Sequence, residues 1–237
     1  MEIVSFGETC LRLRGREGVV VTDAYPRIVG PTGRGLTADI CTYSHADGQS
    51  TLGLDGASAR ATAGSSRRKH TAKGAGGQPL PTSLESAFLL DAPGEYEVHQ
   101  VLITAVRTFR DEQSGDERGP NTCFVFELDG VHVVHLGDVG HLLTEEQLGE
   151  IGAVDVICVP VGGSLSAARG AELVAQLGGN LIVPMPLDGA VGAGGELDRF
   201  LHEMSVQQTE PAPKLTVSAS TLPTETTVVL LESRSRS

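Results

Sequence analysis

The chain has 237 residues, 40% hydrophobic and 20% charged, which suits one large domain or two small ones and buries a core without disulfide staples. Its formal charge of −12 is uneven: residues 1–90 carry 8 acidic and 10 basic side chains, residues 91–237 carry 22 and 8. So acidic a body argues against broad contact with nucleic-acid phosphates, and no run approaches the ~18 apolar residues of a membrane helix.

In chain order, Met1–Val4 lacks a basic n-region and a long apolar run, so a cytoplasmic protein is expected. Glu2–Phe6, Cys10–Arg14 and Val19–Thr22 read as short strands separated by glycine turns, and Ala38–Tyr43 as a fourth. From Ala46 to about Pro81 the composition changes to Gly, Ser, Ala and Thr, with almost no large apolar residues. Such a stretch cannot bury enough surface to offset its ordering entropy, so it reads as a flexible insertion at 46–81 within one domain spanning 1–237. Its basic island, Arg67-Arg68-Lys69-His70 with Lys73, reads as a solvated loop.

Beyond Ser83 the pattern is regular α/β. Val101–Val106, Thr122–Leu128 and Val131–Leu136 are strands, the last two joined by an Asp129-Gly130 hairpin turn. Thr144 and Gln147 form a capping pair that opens a helix. Val154–Val161 is an apolar strand, Ser166–Leu177 a helix stopped by Gly178, Leu181–Pro184 a strand and Glu196–Met204 a helix. Leu215–Ser218 and Thr227–Leu231 close the chain as strands. Strands early and alternating helices late imply a layered fold with helices covering sheets.

The cysteines (10, 41, 123 and 158) form no C-x-x-C pair, which excludes a zinc ribbon and reads as free, buried thiols. No G-x-S-x-G elbow occurs, and Gly192–Gly195 lacks the Lys-Ser/Thr of a phosphate loop. Glu95 and Glu97 would share a strand face, but nothing else supports a glycosidase. Polar groups instead gather just after strands: Gly7-Glu8-Thr9-Cys10, Ser44-His45-Ala46-Asp47, Arg110-Asp111, His135 to His141, and Pro184-Met185-Pro186.

This ordered set resembles the metallo-β-lactamase fold superfamily, in particular its group of Zn-dependent hydrolases. The resemblance rests on Ala92-Pro93-Gly94-Glu95-Tyr96-Glu97, Glu117-Arg118-Gly119-Pro120-Asn121-Thr122, His135-Leu136-Gly137-Asp138-Val139-Gly140-His141, Val159-Pro160-Val161-Gly162-Gly163 and Val183-Pro184-Met185. It implies a four-layer αββα sandwich with the site at one edge, between the sheets.

The same resemblance implies a zinc centre, and here the chain departs from it. Where the family has an H-x-H-x-D-H turn, this sequence reads His45-Ala46-Asp47-Gly48-Gln49-Ser50. Arg110 stands at a later ligand histidine, Pro186 at the last one, and Glu8 at a histidine near the N-terminus. The bridging aspartate is kept as Asp138. Of the seven ligand positions in the turn and the three later segments two survive, His45 and Asp138, with Asp47 as a further carboxylate; three ligands plus water are the catalytic minimum. A guanidinium at position 110 would repel a dication and is expected to pair with Asp138, and further with Asp47 or Glu8. His141 reads as a supporting residue beside this remnant site, and His132 and His135, three apart on a strand, as ordinary sheet residues.

Two functions follow. One is a pseudo-hydrolase without cofactor, acting through a protein partner or as a homo-oligomer, away from membrane and nucleic acid. The other is a zinc hydrolase with an altered, mononuclear site on His45, Asp47 and Asp138, cleaving an ester, lactone or phosphodiester.

Overall fold

A computed structural model describes residues 1–46, 80–206 and 210–234. The basic island and nearly all of the expected insertion at 46–81 lie outside the described residues, as does Asp47.

Two mixed sheets face each other. The first has six strands: β1 (Glu2–Gly7), β2 (Cys10–Arg14), β3 (Val19–Thr22), β4 (Ile40–Thr42), β5 (Phe88–Leu90) and β12 (Leu215–Thr216), in the order β12-β1-β2-β3-β4-β5. The second has seven: β6 (Gly94–Val98), β7 (Val101–Phe109), β8 (Pro120–Leu128), β9 (Val131–His135), β10 (Val156–Val161), β11 (Leu181–Pro186) and β13 (Thr227–Val228), in the order β13-β11-β10-β9-β8-β7-β6. Strands β6 to β9 run antiparallel, whereas β9, β10, β11 and β13 run parallel. The change follows connection length, since a tight turn joins antiparallel neighbours and a parallel return needs a crossover.

Alternation along β7 and β8 feeds two separate cores. Ile103, Phe124, Phe126 and Val133 point between the sheets and meet Ile3, Leu11, Leu13 and Ile40. Val106, Val125, Val134 and Ile157 point outward, under three helices. These are α2 (Glu145–Ile151), α3 (Ala167–Leu177) and α4 (Glu196–Glu203). Thr144 and Gln147 form the expected capping box, and Gly178 ends α3 in the left-handed region at φ 70°. The outer face of the first sheet is covered more thinly, by the four-residue α1 (Pro26–Val29) and short 3-10 turns around Tyr25, Tyr43, Leu36 and Leu84. The sandwich is thus α/β/β/α, with one outer layer reduced.

All four cysteines are free and buried, and desolvation alone pushes the Cys158 thiol up to about 12. Among the described residues no helix is long and apolar enough to cross a membrane.

Candidate functional site

The turns that leave β3, β4, β7 and β9 meet at one edge of the sandwich. Each carries a polar residue that burial would penalise unless it were paired.

Asp23, just past β3, is fully buried with φ 45°, a left-handed conformation that aspartate tolerates better than most residues. Its carboxylate accepts the Ser44 amide at 2.7 Å, the Ser44 hydroxyl at 2.6 Å and the Tyr25 hydroxyl at 3.3 Å. Because the Ser44 hydroxyl donates to Asp23, its lone pair is left to accept from Nδ1–H of His45, 2.7 Å away. The neutral His45 ring then carries no proton on Nε2. Burial, and the nearby charge of Arg110, hold its pKa below the ordinary histidine value against the opposing pull of Asp23 and Asp138.

Asp138 follows β9 in a turn that only glycines permit. A Cβ on Gly137, at φ +62°, would lie 2.5 Å from both the Asn121 side-chain Oδ1 and Ser44 Cβ, and one on Gly140 would run into the Arg110 backbone carbonyl. Asn121 locks the turn by donating to Thr108 Oγ1 at 2.7 Å and to the Leu136 carbonyl at 2.9 Å, while accepting the Asp138 amide at 3.0 Å.

Arg110, at the end of β7, turns inward. Its Nε lies 2.8 Å and its Nη2 2.7 Å from the same Asp138 oxygen, Oδ2, and its Nη1 donates to the Arg118 carbonyl at 3.3 Å. The Arg118 guanidinium stands 3.9 Å from that oxygen. The other oxygen of Asp138, Oδ1, is buried and has no hydrogen-bond partner among the described residues.

The remaining candidates go elsewhere. Glu8 pairs with Arg27 rather than with Arg110. Pro186 ends β11 and lines, with Gly7, Glu8, Arg27 and Leu187, a cleft of about 1080 Å³. His141 accepts the Phe109 amide at Nε2 (3.1 Å) and donates from Nδ1 to the Leu142 carbonyl (2.7 Å), which makes it a brace for β7. His132 is exposed, but His135 is no ordinary sheet residue. Its Nε2 donates to the Thr9 carbonyl at 2.8 Å, beside Asp23, in the buried polar nucleus under the site. Asp23 is therefore a part of the site outside every motif, its available signal a carboxylate ending an apolar strand; Asn121 and His135 stand inside motifs that assign them no role in the site.

Zinc needs several basic nitrogens and carboxylates converging on one point. Among the described residues no group of three or more His, Cys, Asp or Glu could hold a metal ion. Asp138 presents one oxygen already taken by two guanidinium donors. The described residues do not fit a zinc site.

Two facing mixed sheets with helices outside, and a polar edge fed by their connecting turns, define a metallo-β-lactamase fold. The model of the β-lactamase superfamily domain matches residues 2–186, and the chain belongs to that family. A protein of Methanoculleus marisnigri named UPF0173 metal-dependent hydrolase is 25% identical over 204 residues, covering 84% of this chain and 87% of that one. One of the same name from Thermococcus onnurineus is 33% identical over 96 residues, 39% of this chain and 43% of its own. A crystal structure from Thermotoga maritima, described as a candidate Zn-dependent hydrolase of the metallo-β-lactamase superfamily, superposes with a TM-score of 0.65 at 30% identity, covering 97% of both chains.

Proposed function

We propose that this chain, as one domain with an insertion at about 46–81, acts by binding a protein partner or a second copy rather than by hydrolysis. The observation that carries the reading is the Arg110 guanidinium seated on Asp138. It supplies positive charge next to a buried carboxylate, the electrostatic part of what a metal would supply. A dication brought within about 4 Å of it would meet repulsion on the order of 8 kcal/mol at protein-like dielectric.

A second reading is a metal-dependent hydrolase with a mononuclear site on His45, Asp47 and Asp138, taking an ester, lactone or phosphodiester. The names of the relatives support it more directly than they support the first. So does Oδ1 of Asp138, a buried acceptor without a partner among the described residues. Local electrostatics favour the first reading, kinship the second.

Model esters, lactones and phosphodiesters, assayed with and without added zinc on the wild type and on Asp138→Ala, separate the two. Binding without hydrolysis predicts no turnover above buffer in any arm. Zinc-dependent turnover that Asp138→Ala abolishes would replace the first reading by the second.

A further inference from the structure

Arg110 has a long, flexible side chain, and one of its three contacts at the site, from Nη1 to the Arg118 carbonyl, depends on the chain around Arg118 being held still. The residue that holds it is Asp111. Its carboxylate is buried and accepts four backbone amides of the following loop. Oδ1 takes those of Gln113 at 2.9 Å and Gly115 at 2.7 Å; Oδ2 takes those of Glu117 at 3.1 Å and Arg118 at 2.6 Å. The loop can wrap one carboxylate this tightly because Gly115 sits at φ +89°, where a Cβ would come within 2.9 Å of the Phe109 ring and 3.2 Å of the Gly119 carbonyl. It closes on itself through Gly119 N–H to the Gly115 carbonyl (3.0 Å) and Arg110 N–H to the Gly119 carbonyl (3.1 Å). A 2.5 Å ion pair from Glu112 to Arg169 ties the loop to α3.

The consequence reaches the site through Arg118. Asp111 fixes the Arg118 amide, the Arg118 carbonyl takes Nη1 of Arg110, and the guanidinium so held presents Nε and Nη2 to Asp138. We propose that Asp111 is a positioning residue: by gathering the amides of residues 113–118 it sets the orientation of the Arg110 guanidinium on Asp138. This deepens the reading of Arg110 as the resident cation and rests on it. It also gives Asp111 work beyond ordering its own loop.

The test follows the Arg110 Nε–H resonance by NMR in the full-length protein. In the wild type this proton is protected by its bond to Asp138. In Asp111→Asn, which cannot accept four amides, its protection falls by about tenfold or more, the scale of one lost charged hydrogen bond. A control, Val174→Ala in α3, lowers overall stability but leaves the resonance where it was. An unchanged Arg110 Nε–H in Asp111→Asn overturns the proposal. Should Asp111→Asn not fold, hydrogen exchange in the wild type decides instead. The amides of Gly115 and Arg118 and the Arg110 Nε–H exchange through one common opening if Asp111 positions the guanidinium; an Nε–H that opens independently of those amides contradicts it. Zinc binding is a separate readout, so failure of the clamp is distinguishable from failure of the reading beneath it.

Discussion

At the scale of single residues, Arg110 and Asp138 are bound to each other's fate. The side chain of Asp138 is 5% exposed and that of Arg110 13%. Removing that cation leaves a buried carboxylate with only the more distant Arg118 guanidinium, 3.9 Å away, to offset it. Arg110→Met should therefore destabilise the fold by about 3–5 kcal/mol, whereas Arg110→Met combined with Asp138→Leu should recover most of that loss. Urea unfolding of the two single variants and the double variant measures it; equal losses in the Arg110→Met and double variants would refute the pairing. Arg110→Lys is no conservative replacement, since an ammonium cannot reach Asp138 and the Arg118 carbonyl together in one planar fork. This pair was legible in the sequence because both members stand in short motifs with known neighbours. Asp23 was not, and for Asn121 and His135 the motifs marked the residue but not its role in the site. Their partners lie 21, 15 and 126 residues away, and no local pattern announces such contacts.

At the scale of elements, the sequence was most readable where period and punctuation agree. Strand β2 and strand β3 begin and end where alternation and glycines place them, and α3 stops at the expected glycine. Less was visible where an element is short: α1 has four residues after a proline, β5 has three, and both are held by tertiary burial rather than by propensity. Ends also ran on, since β7 continues to Phe109 and thereby carries Arg110 to the site. The cap of α2 does double work. Thr144 closes the helix, and the same Gln147 donates from Nε2 to the Arg107 carbonyl of β7 at 2.8 Å. Thr144→Ala should cost about 1 kcal/mol, as a lost N-cap does, and a thermal-melt loss well below that would mean the box is not formed. Phe124 and Phe126, both fully buried between the sheets, set the larger scale: Phe126→Ala should cost about 3–5 kcal/mol in urea.

At the scale of the whole molecule, the titration of buried groups fixes how stability changes with pH. Desolvation lowers the folded pKa of His135 and of His45, so both are neutral in the fold while an unfolded histidine takes a proton near 6.5. Stability should fall as pH drops from about 6.5 toward those lower folded values. A second loss belongs to carboxylates. Asp129, bonded to the Met1 ammonium at 2.7 Å and to Arg16, is held well below the ordinary range. Burial opposes the ionisation of Asp111, but its four amide donors hold it below that range as well. Their contribution is complete above the unfolded value near 3.9 and disappears as pH falls through the folded ones. Urea midpoints measured from pH 8 to pH 2 should decline in these two stages; a flat profile between pH 7 and pH 5 would contradict the buried neutral histidines.

The fold itself was legible from five short motifs in the right order, while the chemistry of its edge depends on which side chain faces which. The central claim is that Arg110 stands in for the metal's charge. Its most direct measurement is elemental mass spectrometry on the purified, untagged protein after incubation with excess zinc and desalting. The guanidinium on Asp138 predicts wild-type protein that carries far less than one zinc per chain; because no three ligands converge among the described residues, Arg110→Met should carry no more. Near-stoichiometric zinc in the wild type would contradict it and return the edge of the sandwich to metal-dependent hydrolysis.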